Sequence, residues 1–472
     1  MKTFFLILII ATLPQYAVCQ TTYSLKQCIE TAWANNLQIK QSGFQMLTAE
    51  ANFNQSKNNR LPTVSASYNF GINNGRSIDP FTNGYITQEL SSSNAGIGAN
   101  FILYNGGRLQ NLVKQTGYNL QAAKLDLEQE KNTLSLNVML AYLQVLNNED
   151  ILTLTNTQLE ITKKQVERLE ILNKAGAIQP SLLYDVKGQY AGDELSIINA
   201  QNALELSKLS LSQLINIPYS KDFRVERVAI NDSTPSVLAA YEASPTRIYE
   251  ASIRSLALVK AADLRKQSAA VAIKVAESNY YPTVSLQGQL GTNYSSVAQR
   301  ATELNSVDVP TKDYVEVNGS RVPVFTKATN FQRDKIGYFN QFSNNLNSFV
   351  GVNIQIPIFN AFQTKTLINL AKIQEKTVNN QADIIKLQLK QAVEQAHLNM
   401  TATYDRYNAL NRQVKALQES FKVAEKRFTE GVIHSVDFLI AKNNLDRANM
   451  SLINARYDYL LRVKVLDFYQ GK

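Results

Sequence analysis

The chain has 472 residues, 44% of them hydrophobic, with only 19 Gly and 11 Pro: length for several ordinary domains and little punctuation for loops. Two Cys, two His and one Trp leave Cys–His catalysis, zinc sites and disulfide scaffolds little to draw on. The formal charge of +9 comes from basic residues scattered among acidic ones, which reads as solvated helix faces and excludes the clustered stripe of a nucleic-acid footprint; attraction to anionic lipid head groups is the weaker alternative.

Met1-Lys2-Thr3, an apolar core from Phe4 to Leu13 and Ala17-Val18-Cys19 read as a secretory signal over 1–19, cleaved after Cys19. That core is too short to span a bilayer as a helix. The alternative is acylation at Cys19, for which Tyr16-Ala17-Val18 is a poor lipobox. No later segment offers the ~18 consecutive apolar residues of a membrane helix.

A first repeat is expected over 20–218. It opens with one helix from Ser24, a capping residue, to Asn59, ended by Leu61-Pro62. A strand follows in which Val64, Ala66, Tyr68 and Phe70 alternate with Thr63, Ser65, Ser67 and Asn69. A loop spans Gly71 to Asn94, with a structured turn at Gly75 to Pro80. A second strand, Ala95 to Tyr104, sets Ile97, Ala99, Phe101 and Leu103 against Gly96, Gly98 and Asn100, closing the strand pair 63–104. From Asn105 to Ala175 the pattern is helical without a proline; about 70 residues at 1.5 Å each reach about 105 Å. A tip at 175–179 holds Gly176, and Pro180 and Ser181 open a return helix that ends near Ile217-Pro218.

An equatorial link, 219–244, then leads into a second repeat over 245–472. A helix from Thr246 to Tyr280 precedes Tyr281-Pro282-Thr283-Val284, which answers Leu61-Pro62-Thr63-Val64. The strand pair 283–358 has Val284, Leu286 and Leu290 on its first strand and Val350, Val352, Ile354, Ile356 and Ile358 on its second, separated by a long polar loop, Ser295 to Asn345. Helix resumes from Asn360 to Glu430. The second tip, 430–434, holds Gly431, which stands 255 residues after Gly176. Before it Val414, Leu417, Phe421, Ala424 and Phe428 alternate spacings of three and four; after it Phe438, Ala441, Leu445, Ala448 and Leu452 do the same. Two such seams meeting at a glycine form an antiparallel coiled-coil hairpin.

Strands of about ten residues with one apolar face have the length of tilted membrane strands. Their other faces are Ser, Thr, Asn, Gln and Gly, as a wet lumen requires. Four strands cannot close a barrel, and an open edge in lipid leaves backbone groups unsatisfied. Identical chains must therefore share one barrel. Three copies supply twelve strands, whereas two supply eight, a barrel filled by its own side chains. The fold class is thus mostly α with a transmembrane β-barrel part, and the long helices continue the barrel as a tube.

Arg60-Leu61-Pro62 after a helix, Gly96 to Asn105 entering the long helix, Arg427-Phe428-Thr429-Glu430-Gly431 at the tip, Val436-Asp437-Phe438-Leu439-Ile440-Ala441 beyond it and Ala455-Arg456-Tyr457-Asp458-Tyr459-Leu460 near the end carry a resemblance to the TolC family of outer-membrane efflux proteins. The resemblance covers nearly the whole mature chain. It implies a homotrimer with a 12-stranded outer-membrane barrel in lipid and a periplasmic α-helical tunnel. It also implies passive export of drugs or proteins, with a periplasmic adaptor and an inner-membrane transporter of the RND, ABC or MFS type as partners.

In that family the tip hairpins close like an iris, held by polar links and lined by an acidic ring. Asp437 matches one ring position and Ile440 stands where some relatives have a second acid. Phe428 matches an aromatic link position and Ser181 a hydroxyl one. Ile433 replaces a basic link residue and Leu182 an acidic one, for which Asp185, one turn on, compensates. Gly176 and Gly431 are the tip turns, expected in the left-handed region and, by resemblance, at the adaptor docking site. The plainer role of Asp437 is an acid complementing a helix N-terminus. His434 has no second ligand in view. A secreted coiled-coil structural or adhesive protein at the cell surface is the alternative function, against which the uncharged strand faces count. No nucleophile elbow, phosphate loop or paired-carboxylate site points to an enzyme, and no cofactor is expected.

Overall fold

The structure, a computed structural model, describes residues 22–78, 83–87, 89–227 and 241–471. The signal 1–19, residues Asp79 and Pro80 of the first-loop turn, and half of the 219–244 link lie outside the described residues. In chain order the elements are β1 (Thr22–Tyr23), α1 (Leu25–Asn35), α2 (Leu37–Asn58), β2 (Thr63–Asn73), β3 (Arg76–Ile78), β4 (Tyr85–Thr87), β5 (Leu90–Asn105), α3 (Arg108–Lys174), α4 (Pro180–Leu214) and β6 (Arg224–Val225). Then come α5 (Pro245–Ser255), α6 (Ala257–Glu277), β7 (Thr283–Ser295), β8 (Gln299–Val317), β9 (Ser320–Lys335), α7 (Tyr338–Asn344), β10 (Asn347–Gln355), α8 (Gln363–Thr429) and α9 (Ser435–Tyr469). The chain divides into two compact units, one of 1–50, 118–267 and 376–472, the other of 51–117 and 268–375.

The first unit is helical. Ser24 caps α1 through a box with Gln27. The single helix expected from Ser24 to Asn59 is broken at Asn36, whose backbone is extended. Its side-chain oxygen accepts from the amides of Gln38 (2.8 Å) and Ile39 (3.2 Å), so Asn36 restarts the helix as a second cap. The expected Thr246–Tyr280 helix breaks likewise at Leu256, also extended. Leucine cannot cap, and the Leu258 amide is met instead by Gln129 Oε1 at 3.3 Å.

α3 and α8 are 67 residues each, roughly 100 Å at 1.5 Å per residue. Both end on glycines in the left-handed region, Gly176 at φ 69° and Gly431 at φ 74°. Ala177 N donates to Leu172 O (2.9 Å) and Val432 N to Arg427 O (2.8 Å), the six-to-one bond that closes a helix C-terminus. Three apolar clusters pack this unit. One, at the tips, centres on Phe421, Phe428 and Phe438. A second gathers Cys28, Tyr142 and Leu211, where the Tyr142 hydroxyl donates to Glu226 O at 2.5 Å beside the parallel β1–β6 pair. Burial pushes the Cys28 thiol up to about 11, so it stays a packed thiol. The third packs Ile248 and Val259 against Val393, Tyr459 and Leu466.

The second unit holds an antiparallel sheet in the order β10-β7-β5-β2. Thr63 faces Asn100, Asn105 faces Thr283 and Gln355 again faces Thr283 across the three ladders. None of the four strands contains a charged residue. Val64, Tyr68, Ile97, Leu290, Val350 and Val352 lie exposed on one face of the sheet in the single chain. Among the described residues, nothing pairs the outer edges of β2 and β10. β5 starts at Leu90, five residues before the expected Ala95, and β2 runs on to Asn73, so much of the expected first loop is strand. β10 stops at Gln355 and leaves out Ile356 and Ile358, because Pro357 removes a ladder donor.

The largest correction concerns the expected polar loop from Ser295 to Asn345. It is a long antiparallel ribbon, β8–β9, followed by α7. Pro310, Pro323 and charges on one face obscured its alternation.

Strand passes to helix through two consecutive left-handed residues, Gly106 and Gly107 in the first half, Ala361 and Phe362 in the second. A Cβ on Gly106 would lie 2.7 Å from Ser278 O, so glycine is required there.

Candidate functional site at the helical tips

Each tip is a glycine turn followed by a helix start. Pro180 begins α4 and Ser435 begins α9, and neither preceding residue, Gln179 or His434, caps through its side chain. The exposed amides at the start of α9 are complemented by Asp437 in its first turn. Asp437 is exposed, and no ion pair reaches it among the described residues.

A cavity of about 600 Å³ opens between the two tips. Ser181, Asp185 and Phe428 line it together with Arg168, Leu172 and Ser435. Ser435 is buried and its Oγ donates to Asp185 Oδ2 at 2.8 Å, which ties the first return helix to the second. The Arg168 guanidinium donates to the Thr429 carbonyl, placing a cation at the C-terminus of α8. Asp437 lies apart from this cavity, beside Val423, Arg427 and Ile433. The structure thus brings Ser181, Asp185 and Phe428 together and leaves Asp437 on another face.

Phe428 has the environment of a core residue. It is 5% exposed and stacks on Phe438 at 4.6 Å between centroids. Phe421 completes the cluster at 5.8 Å from Phe438. Ser181 is exposed, and Leu182 and Ile433 pack at the margin of the same cluster.

A group of charges escaped the reading of the sequence. Lys442 is 1% exposed, with Nζ 2.9 Å from Asp193 Oδ2 and 2.7 Å from Asp446 Oδ2. Asp193 also accepts from Thr162 and, at 2.7 Å, from Gln189. Gln189 in turn accepts from Asn443 at 3.2 Å. Helices α3, α4 and α9 therefore meet on one buried ion cluster. Burial pushes the Asp446 carboxyl up, and Lys442 opposes that shift. The i,i+4 spacing of Lys442 and Asp446 was a visible signal. The apolar seam through Ala441 and Leu445 placed Lys442 on the outside.

Among the described residues no helix is long and apolar enough to cross a membrane. A family model described as "outer membrane efflux protein" matches residues 28–216 and 248–472. The chain is similar to Outer membrane protein TolC of Salmonella enteritidis, 22% identical over 476 residues that span 100% of this chain and 86% of that protein. Outer membrane protein TolC of Vibrio cholerae serotype O1 is 25% identical over 332 residues, covering 70% of this chain and 66% of that one. Among solved structures, CusC superposes with a TM-score of 0.74 at 18% identity, over 95% of this chain and 92% of the other. VceC of Vibrio cholerae gives 0.73 at 16% identity, over 95% and 96%. With a family model spanning most of both halves and this fold, the chain belongs to the outer membrane efflux protein family.

Proposed function

We propose that this protein is the exit duct of a tripartite efflux or type I secretion system. Three copies share one twelve-stranded barrel, and their long helices form a coiled-coil tunnel into the periplasm. The observation that carries this reading is the four-stranded, charge-free sheet with apolar residues exposed and both edges open. Such a sheet is satisfied in lipid only when closed by further strands. Transport is passive, and small toxic compounds or proteins move down the duct under the drive of an inner-membrane transporter of the RND, ABC or MFS type. A periplasmic adaptor docks at the Gly176 and Gly431 turns.

On this reading the chain is two repeats, 20–218 and 245–472, joined by the 219–244 link after removal of 1–19. Shared backbone devices support this. Ser24 and Ser244 cap and Asn36 and Leu256 break, both pairs 220 residues apart, and Gly176 and Gly431 turn 255 residues apart. The gate is the tip region. Asp437 from each copy forms an acidic ring, and the Ser435–Asp185 bond beside Ser181 holds the two return helices in the closed arrangement. Phe428 acts by anchoring the hairpin from inside.

The test is Asp437→Ala in planar bilayers. Higher current or weaker cation preference is expected. Unchanged conductance and selectivity would reduce Asp437 to its helix-dipole role. Deletion of the gene should raise intracellular accumulation of toxic compounds or abolish a secreted protein, and a strain with neither defect would count against export.

A further inference from the structure

The ribbon β8–β9 has no part in export as described, yet it is built with care. Its register sets Val315 opposite Val322, Val309 opposite Thr326 and Val307 opposite Ala328. Residues directly opposite share a face, and alternate residues return to it. Val317 and Val324 therefore join that face, and its paired rungs from Asn305–Asn330 to Val317–Ser320 carry no charge, the bulge Thr311-Lys312-Asp313 standing between them. The six valines are between 37% and 54% exposed on the single chain. The reverse face sets Glu316 opposite Arg321 and Asp308 opposite Lys327, so these charges cancel across the strands.

The root of the ribbon is fixed. Buried Gln341 of α7 accepts from Ser295 N (2.9 Å) and donates to Ser295 O (3.0 Å) and Ile336 O (2.7 Å). Ile336 N donates to Ala298 O at 3.1 Å. Tyr338 stacks on Phe342 at 4.5 Å between centroids, and its hydroxyl lies 3.2 Å from Ser93 Oγ of β5. A two-stranded ribbon this long, solvated on both faces, is marginal alone.

Lys312 and Asp313 stand side by side in the bulge and the reverse-face charges are paired, so the ribbon between Asn305 and Asn330 offers lipid phosphates or nucleic acid no basic patch to hold. Pro310 and Pro323 remove ladder donors, which disfavours addition of a foreign strand. The ribbon lies in the connection between β7 and β10, and β10 presents the open edge that a neighbouring copy must pair. A second copy of the same ribbon is therefore brought to the same place. We infer that the valine faces of neighbouring copies turn toward their common axis and cover one another, forming a protein collar above the barrel. This rests on the shared-barrel reading.

Variants with one cysteine added to the full chain, in a Cys28→Ala background and in outer membranes, test it. Val322→Cys should form disulfide-linked chain pairs on oxidation. It should react with a bulky, membrane-impermeant maleimide about tenfold more slowly than Lys327→Cys on the reverse face. Equal labelling with no cross-link, in a protein whose native mass is still that of three chains, overturns the collar and leaves the duct standing. A native mass of one chain for the unaltered protein overturns both. Replacing 299–335 by a short turn keeps the proposal testable if a cysteine disturbs folding. The shortened assembly should fall apart at a lower detergent temperature than the full one, and equal stability would count against the collar.

Discussion

Lys187 and Lys442 stand 255 residues apart, at corresponding places on the return helices α4 and α9. Lys187 has a side chain 42% exposed and meets Glu170 across its own hairpin at 2.7 Å. Lys442 has a side chain 2% exposed and holds Asp193 of the other hairpin and Asp446 of its own helix. The backbones around them use the same glycine turn. The difference shows what two hairpins of like build permit: one lysine stays a solvated surface pair, while the other becomes a link between hairpins.

The largest effect expected on this contrast is from Lys442→Met, which leaves two carboxylates in a buried site and costs about 3–5 kcal/mol. Lys187→Met should change stability by no more than about 1 kcal/mol. Heat-induced loss of helix signal in detergent measures both, and equal melting shifts would erase the distinction between the two lysines. Next is the strand-to-helix joint. Gly106→Ala combines a left-handed residue with a clash against Ser278 O and should cost roughly 2–5 kcal/mol. Ala361→Gly at the matching joint relieves a left-handed alanine (φ 50°) and should stabilise by roughly 0.5–1 kcal/mol. The same sign for both would show that the two joints are not equivalent. The smallest effect is from Ser435→Ala, which removes one hydrogen bond to Asp185 and costs about 1 kcal/mol. It should also raise the open fraction of channels in planar bilayers, and a variant that melts early but gates normally would make the bond purely structural.

The strands of the four-stranded sheet were legible because their two faces differ sharply in polarity. One face is apolar, the other polar, and charge is absent, so alternation in Val64 to Phe70 or Val350 to Ile354 is clean. The glycine tips were legible because Gly176 and Gly431 interrupt otherwise unbroken helical patterns. The ribbon was not, because solvent reaches both faces of one chain and Pro310 and Pro323 imitate loop punctuation. The break at Asn36 was hidden by a continuous helical pattern, though asparagine followed by unpaired amides is a capping signal. The burial of Lys442 could not be read from α9 alone, since its partner Asp193 lies on a different helix. Phe428, placed by resemblance at a link position, is held by Phe438 in the hairpin core, a contact visible only once both helices are folded.

The central claim is that one chain supplies part of a membrane cylinder that closes only by sharing. The direct measurement is the native mass of the detergent-solubilised protein, followed by its conductance in a planar bilayer. A mass of three chains with ion-conducting channels is the expected result. A stable single chain that inserts without conducting would contradict the account.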